Sequence, residues 1–186
     1  QDGFSNGPYT NLGGDAMQIK YFTPRFAGFQ VGASYSRDGK KSSQKGIQDI
    51  NNPLRVGNRN GNIGSVGANY TNSFGGFDIA LGAGYSLADR AAGGSPEAYN
   101  IGGKFGYAGF SLGGGFAEGN DTGDDGRSYN AGVAYTTGPW GFSATYAFGE
   151  SADGLGNQDD INMYKLAVNY NLAKGVRIHG IGMYFD

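Results

Sequence analysis

The sequence has 186 residues, with 37 glycines, 13 tyrosines and 12 phenylalanines, but only 38% hydrophobic residues and a formal net charge of −2. The absence of cysteine excludes thiolate metal sites and cysteine nucleophiles, and the small net charge gives no sign of general nucleic-acid affinity. No continuous apolar run reaches the roughly 18 residues of a transmembrane helix. Residues 1–3 have neither the basic start nor the apolar stretch of a signal peptide, so we expect a processed or partial chain.

From residue 15 onward, runs of about ten residues alternate apolar side chains with polar residues or glycine. Because successive side chains of a strand point to opposite faces, this period predicts strands with one apolar and one polar face. The apolar faces comprise Phe29, Val31, Ala33 and Tyr35; Val66, Ala68 and Tyr70; Phe77, Ile79, Leu81, Ala83 and Tyr85; Tyr99, Ile101, Phe105 and Tyr107; Phe110, Leu112 and Phe116; Tyr129, Ala131, Val133 and Tyr135; Phe142, Ala144, Tyr146 and Phe148; and Tyr164, Leu166, Val168 and Tyr170. The register of the tenth run, residues 176–185, is ambiguous. The pattern predicts an all-β fold of about ten antiparallel strands in five hairpins.

Short and long connections alternate along the chain. The short turns are Phe26-Ala27-Gly28-Phe29, Phe74-Gly75-Gly76-Phe77, Tyr107-Ala108-Gly109-Phe110, Pro139-Trp140-Gly141-Phe142 and Ala173-Lys174-Gly175-Val176. The connections at 38–61, 88–96, 119–126 and 151–159 are longer and polar, and aromatic residues cluster at both ends of the apolar faces. This combination is typical of an antiparallel transmembrane β-barrel. A glycine-rich soluble β-sandwich is the alternative, but aromatic residues at both strand ends favour the membrane.

The polar faces would line the inside of such a barrel. The predicted pore-lining residues are Gln18, Lys20, Gln30, Asn69, Asp78, Lys104, Asn130, Lys165 and Arg177, together with Asn169. Charges inside a water-filled channel set its ion preference, and the basic residues here would favour anions if nothing else contributed. The alternative for each lysine is that its side chain only fills space in the lumen and has no measurable effect on ion preference. The inward glycines, which would leave the lumen open rather than filled, are Gly32, Gly67, Gly82, Gly84, Gly102, Gly113 and Gly132.

The longer loops carry separate charge clusters. Residues 38–61 hold Lys40, Lys41, Lys45, Arg55 and Arg59 against Asp49, whereas residues 118–126 hold Glu118, Asp121, Asp124 and Asp125. Such clusters are most often solvated surface. The functional interpretation is that they steer ions or contact lipopolysaccharide phosphates. Residues 120–126 also have the composition of a calcium loop, although they lack the terminal glutamate of an EF-hand and an ordinary turn explains them equally well.

No set of residues predicts catalysis. His179 is the only histidine, and its neighbours Arg177 and Gly180 indicate a position in the barrel wall rather than in a catalytic triad. The three glycines at 113–115 lack the following helix that a phosphate-binding loop needs. We therefore expect no enzyme activity, no cofactor and no metal.

Residues 17–36, MQIKYFTPRFAGFQVGASYS, resemble the general porins of Gram-negative bacteria. In that family a strand ending in Tyr-x-(Ser/Thr)-Pro-x-Phe-(Ala/Gly)-Gly-Phe leads into a strand ending in Gly-Ala-Ser-Tyr. Residues 168–177 and 182–186 are similar to the penultimate hairpin of these proteins. The glycine-rich style is similar to alphaproteobacterial members.

The resemblance implies a trimeric barrel of about sixteen strands, of which this chain supplies about strands six to fifteen. Residues 1–14 would be the tail of the inward-folded constriction loop, and residues 15–186 would complete a single partial barrel domain with five hairpins. Lys20 becomes the leading pore-lining candidate, because it lies on the strand after that loop. A fragment is the expectation, although an even number of strands could also close alone.

The resemblance implies an outer-membrane porin, a homotrimer through which small hydrophilic solutes and ions diffuse passively. Its partners would be the lipid bilayer and lipopolysaccharide, without nucleic acid. The alternative is a small closed outer-membrane barrel with a structural, adhesive or surface-display role. An outer-membrane hydrolase ranks last, since His179 lacks an obvious partner.

Overall fold

The computed structural model describes residues 18–38, 60–90, 94–120, 126–152 and 158–186. The predicted constriction-loop tail at 1–14 lies outside these residues. So do the charged residues of the first long loop from Lys40 to Arg59, and Asp121, Asp124 and Asp125 of the acidic loop.

Ten strands form one antiparallel sheet in which every strand pairs with its neighbours along the chain. They are β1 (Ile19–Phe22), β2 (Phe29–Asp38), β3 (Asn60–Phe74), β4 (Phe77–Arg90), β5 (Glu97–Tyr107), β6 (Phe110–Asn120), β7 (Gly126–Thr137), β8 (Trp140–Ala152), β9 (Gln158–Ala173) and β10 (Val176–Phe185). No helix in the described part of the chain has the length and hydropathy needed to cross a membrane. The predicted all-β fold with ten strands in five hairpins is confirmed. The fourth short turn is centred on Gly138 and Pro139, however, and not on Trp140 and Gly141, which begin β8.

The strand register keeps the two predicted faces separate across the sheet. Val31 pairs with Ala68, Ala68 with Ala83, and Ala83 with Ile101, so large and small apolar residues share one face. We call this the apolar face and the opposite one the polar face. Leu81 on the apolar face is 53% exposed, and the buried hydrophobic residues among those described are few and mostly alanine. A sheet without a core needs an apolar environment on this side, because the exposed hydrophobic area would otherwise face water.

Three of the short turns have a left-handed backbone at both central residues. The φ angles are 47° and 88° at Ala27 and Gly28, and 49° and 84° at Ala108 and Gly109; Gly75 and Gly76 behave alike. This is the type I′ turn, whose twist matches that of the flanking strands. At Gly109 a Cβ atom would also come 2.5 Å from the carbonyl oxygen of Thr136. Both the positive φ and this close contact therefore require glycine at this position.

Replacing Gly109 by alanine is therefore expected to lower the free energy of unfolding by about 1–3 kcal/mol, because strain and a backbone clash add. Gly175→Ala is the matched control: its φ of 85° is nearly that of Gly109, but a Cβ there would meet nothing within 4 Å. Its cost should stay at about 1 kcal/mol. Urea unfolding of the full-length protein measures both, and equal losses would show that the contact with Thr136 has no effect.

The structure resolves the register that the sequence leaves ambiguous in β10. A bulge between Val176 and Arg177 shifts the pairing with β9 by one residue. As a result Arg177, His179, Ile181, Met183 and Phe185 share the polar face, and Ile178, Gly180, Gly182 and Tyr184 share the apolar face. The second half of β10 thus departs from its neighbours, because Gly180 and Gly182 lie on the apolar face and Ile181, Met183 and Phe185 lie on the polar face.

Candidate channel lining

The polar face is built largely of residues with little or no side chain. One row across β2–β7 reads Gln30, Asn69, Gly82, Gly102, Gly115 and Asn130. A second row across β4–β9 reads Ala80, Lys104, Gly113, Gly132, Thr145 and Lys165. Because nothing large projects from the middle of these rows, the wall leaves room for water and solute beside it.

Some inward glycines are covered rather than open, contrary to the sequence-based expectation. The ring of Phe22 lies over Gly32, close enough that a Cβ there would be 2.6 Å from its nearest atoms. The side chain of Asn100 lies 3.3 Å from the Cβ position of Gly84. A large side chain on the neighbouring strand can fill the space over a glycine, and alternation within one strand does not show which residue stands opposite. Gly82 is different, since a Cβ there would meet only Ala68 O, at 3.8 Å.

Two predicted lysines lie in the same transverse row. Lys104 and Lys165 are four strand steps apart, which is about 19 Å at the usual spacing of neighbouring strands. Lys104 is exposed and has only alanine and glycine directly opposite it on the polar face. Lys20 lies opposite Ser34 at the edge of the sheet. These ammonium groups are spread along the wall rather than gathered in one cluster.

The remaining predicted residues are placed individually. Gln18 is exposed and precedes β1. Asp78 accepts a 2.5 Å hydrogen bond from the Ser73 hydroxyl. Arg177 donates through Nε to Asn171 Oδ1 at 2.8 Å, and His179 lies opposite Asn169. Among the residues whose side chains the structure describes, the basic side chains of the polar face therefore outnumber its acidic ones, Asp78 and Asp159.

Arg25 is the polar-face residue that sequence reasoning missed. Its Nη1 donates to Gly28 O at 2.6 Å and to Thr71 Oγ1 at 3.0 Å. Its Nη2 donates to Gln30 Oε1 at 3.1 Å and to Asn69 Oδ1 at 2.5 Å. All four acceptors are uncharged, so the guanidinium keeps its full positive charge while it fastens the first short turn to β3. Arg25 precedes a turn rather than lying within a strand, so strand periodicity gives no signal for it.

Aromatic rings border the apolar face in two bands. At the short-turn end the ring centroids of Phe77 and Tyr107 are 4.1 Å apart, and those of Phe110 and Tyr135 are 4.2 Å apart. The band at the long-loop end includes Tyr85 and Tyr99, whose hydroxyls donate to Glu97 Oε2 at 2.5 Å and to Glu118 Oε2 at 2.7 Å. Beyond it Arg127 pairs with Glu150 at 2.5 Å. Rings with polar partners on the outer side mark the level of a membrane–water interface.

One exposed apolar face between two aromatic bands, backed by a polar face rich in glycine, defines the wall of a transmembrane β-barrel. The sequence model of the Gram-negative porins matches residues 2–186. The chain belongs to the Gram-negative porin family, and it is an outer-membrane β-barrel protein. A search of curated protein sequences finds no match.

Solved structures of outer-membrane proteins share the fold at low sequence identity. OmpT of Vibrio cholerae in its trimer form aligns with a TM-score of 0.65 at 14% identity, over 100% of this chain and 61% of that one. OmpF of Salmonella typhi, in complex with daunomycin, gives 0.66 at 15% identity, over 90% of this chain and 53% of that one. The anion-selective porin of Comamonas acidovorans gives 0.62 at 17% identity, over 96% and 55%. The chain therefore spans between about half and three fifths of these proteins.

Among the described residues, no group of three or more histidine, aspartate or glutamate side chains is arranged to hold a metal ion. His179 has a strand partner, Asn169, that is an amide rather than an acid.

Proposed function

We propose that this chain forms part of the wall of a water-filled channel for passive diffusion of small hydrophilic solutes and ions across the outer membrane. The observation that carries the proposal is the polar face, whose central rows hold glycine, alanine and single lysines instead of interlocking side chains. The concentration gradient drives such transport, so the protein needs no catalytic group and no cofactor. The protein contributes only a water-filled passage through the apolar core of the membrane.

The channel we propose is a homotrimer of barrels with about sixteen strands each, of which the ten strands here are a part. The chain covers 61%, 53% and 55% of the three solved proteins described above, and these shares support ten strands as a part of about sixteen. Chemistry supports it as well: β1 and β10 do not pair with each other in the described sheet, and an unpaired strand edge in lipid is strongly unfavourable. Further strands would satisfy both edges.

In this channel the lining would consist of Lys20, Lys104, Lys165 and Arg177 with Gln30, Asn69, Asp78 and Asn130, and Gln18 would lie at its edge. Arg25 adds a fixed positive charge at the short-turn end. We propose that this stretch of wall attracts anions, since its basic groups outnumber the acidic ones. Lipopolysaccharide is the expected partner of the long-loop rim, since the first long loop carries Lys40, Lys41, Lys45, Arg55 and Arg59 in the sequence, and such groups bind phosphates.

Single-channel recording of the full-length protein tests the proposal. Stepwise conductance in a planar bilayer is the expected result, and Gly82→Leu should lower each step by about a third because it fills the open part of the lumen. Gly64→Leu is the matched control, since Gly64 lies on the apolar face with nothing within 4 Å of its Cβ position. Absence of any conductance from a correctly folded protein would instead favour a closed barrel with a structural or adhesive role.

A further inference from the structure

Two nitrogen-bearing side chains of β10 stand opposite two amides of β9 at the short-turn end of the polar face. Arg177 pairs with Asn171, and His179 pairs with Asn169. Opposite residues of an antiparallel pair lie about 4.5–5.5 Å apart, and residues two positions apart on one strand lie about 7 Å apart. The four side chains therefore project from an area of roughly 5 by 7 Å, and we call this group the Arg177 array.

The one hydrogen bond inside the array leaves most of its donors without an acceptor. Arg177 Nε donates to Asn171 Oδ1 at 2.8 Å, which uses one of the five N–H groups of the guanidinium. Among the described residues, no acceptor lies on the two Nη groups of Arg177, on the amide nitrogen of Asn171 or on the His179 ring. Arg25 is the contrast, because its two Nη groups meet four acceptors. Arg25 is thus occupied within the wall, whereas Arg177 presents its outer edge to the space beside it.

The glycine at position 141 makes room for the fourth side chain of the array. A Cβ atom at Gly141 would come 2.5 Å from Asn169 Nδ2 and 2.8 Å from Asn169 Oδ1. The amide of Asn169 therefore lies over β8, its neighbour on the side away from β10. The His179 ring remains exposed as a result, and the amide borders the array on its β8 side.

The charge around the array is positive. The guanidinium of Arg177 is always charged, and the β9–β10 turn adds Lys174 three residues earlier. On the polar face of β8–β10, Asp159 is the only carboxylate among the side chains that the structure describes. It precedes Asn169 by ten residues, about 33 Å along β9. No described acid on these three strands therefore competes with an anion at the array.

We propose that the Arg177 array binds inorganic phosphate at the short-turn mouth of the channel. The site rests on the channel proposed above, since the polar face meets passing solutes only if it lines a lumen. The Nη edge of Arg177 matches two phosphate oxygens. The remaining oxygens can accept from the Asn171 amide and from a ring N–H of His179.

The number of donors and the charge favour phosphate over a carboxylate. A phosphate group carries a charge of about −1.5 to −2 near pH 7 and offers three or more acceptor oxygens, whereas a carboxylate has one charge and two oxygens. The short turns of an outer-membrane barrel face the periplasm, so the array lies where a solute would leave the channel. Binding in a conducting pore has to stay weak enough for release, and an exposed site meets that condition.

Binding of inorganic phosphate to the full-length protein in detergent tests the site apart from transport. Phosphorus NMR line broadening at pH 7 and 0.1 M KCl measures the dissociation constant. Arg177→Gln is expected to raise it about tenfold, because one charge-assisted bidentate pair is lost. Lys174→Gln removes the same charge from the adjoining turn and should change it less than twofold. Equal weakening by the two variants would overturn the proposal.

Arg177→Lys separates the hydrogen-bonding fork from the charge. A lysine keeps the charge but not the planar pair of donors, so binding should weaken nearly as far as in Arg177→Gln. Acetate, which competes for the same donors, should displace phosphate only at a severalfold higher concentration. Unchanged binding by Arg177→Lys, or acetate equal to phosphate, would show a point charge instead of a phosphate site.

Single-channel recording separates failure of this site from failure of the channel. Phosphate added on the short-turn side should lower the chloride current of the unsubstituted protein, and Arg177→Gln should remove that effect. Stepwise conductance in KCl without phosphate binding would overturn the site and leave the channel in place. Phosphate binding without conductance would support the array as a binding site and contradict the channel.

Discussion

Replacing Lys104 and Lys165 together by glutamate is expected to shift the anion-to-cation permeability ratio about three- to tenfold towards cations at 0.1 M salt. The two ammonium groups lie in one row on the polar face, about 19 Å apart, where small residues leave them open to the lumen. The double change reverses the sign of the local potential in that row. The reversal potential of the full-length protein in a KCl gradient measures the result.

The effect should also weaken at 1 M salt, because the Debye length falls from about 10 Å to about 3 Å. Lys174→Glu is the control, since Lys174 lies in a short turn rather than in a row of the polar face. If the double variant and the control shift the reversal potential equally, the lysines do not line the pore. The proposed lining would then be wrong even if conductance persists.

Arg25→Leu is expected to lower the free energy of unfolding by about 1–3 kcal/mol, because it removes four charge-assisted hydrogen bonds that are partly open to water. The bonds join the first short turn to Gln30, Asn69 and Thr71, so their loss would free that turn from β3. Midpoints of urea or thermal unfolding of the full-length protein measure the change. Asn72→Ala, on the apolar face of β3, is a control close by that leaves these four bonds intact.

Arg25→Lys separates the role of charge from the role of the hydrogen-bonding fork. A lysine keeps the positive charge but cannot reach four acceptors from one planar group. Stability should therefore fall nearly as far as in Arg25→Leu, while the reversal potential should change only in the leucine variant. Full stability of the lysine variant would show that charge alone holds the turn.

The strands and the two faces could be predicted because they depend on interactions local to the sequence. Alternation in a run such as Phe29 to Tyr35 specifies which side chains share a face, and Ala-Gly or Gly-Gly between two such runs specifies a tight turn. The same alternation predicts the polar face for Lys20, Lys104 and Lys165, and the register places them on that face. That they line a pore stays a prediction.

Periodicity failed where the pairing of strands, rather than the strand itself, decides a position. The register of β10, which the sequence leaves ambiguous, is set by the bulge at Val176, and no pattern within residues 176–185 specifies that bulge, because it depends on hydrogen bonds to β9. The cover over Gly32 likewise depends on which residue stands opposite it, here Phe22. Both require knowledge of the partner strand.

The sequence by itself thus determined that this protein is a sheet with one face for lipid and one for water, because side-chain alternation and turn geometry are properties of neighbouring residues. Only the tertiary structure decided which lysines share a row, how Arg25 holds the first turn, and which amides stand opposite Arg177 and His179. These features arise between residues far apart in the chain, and cross-strand hydrogen bonds set their relative positions.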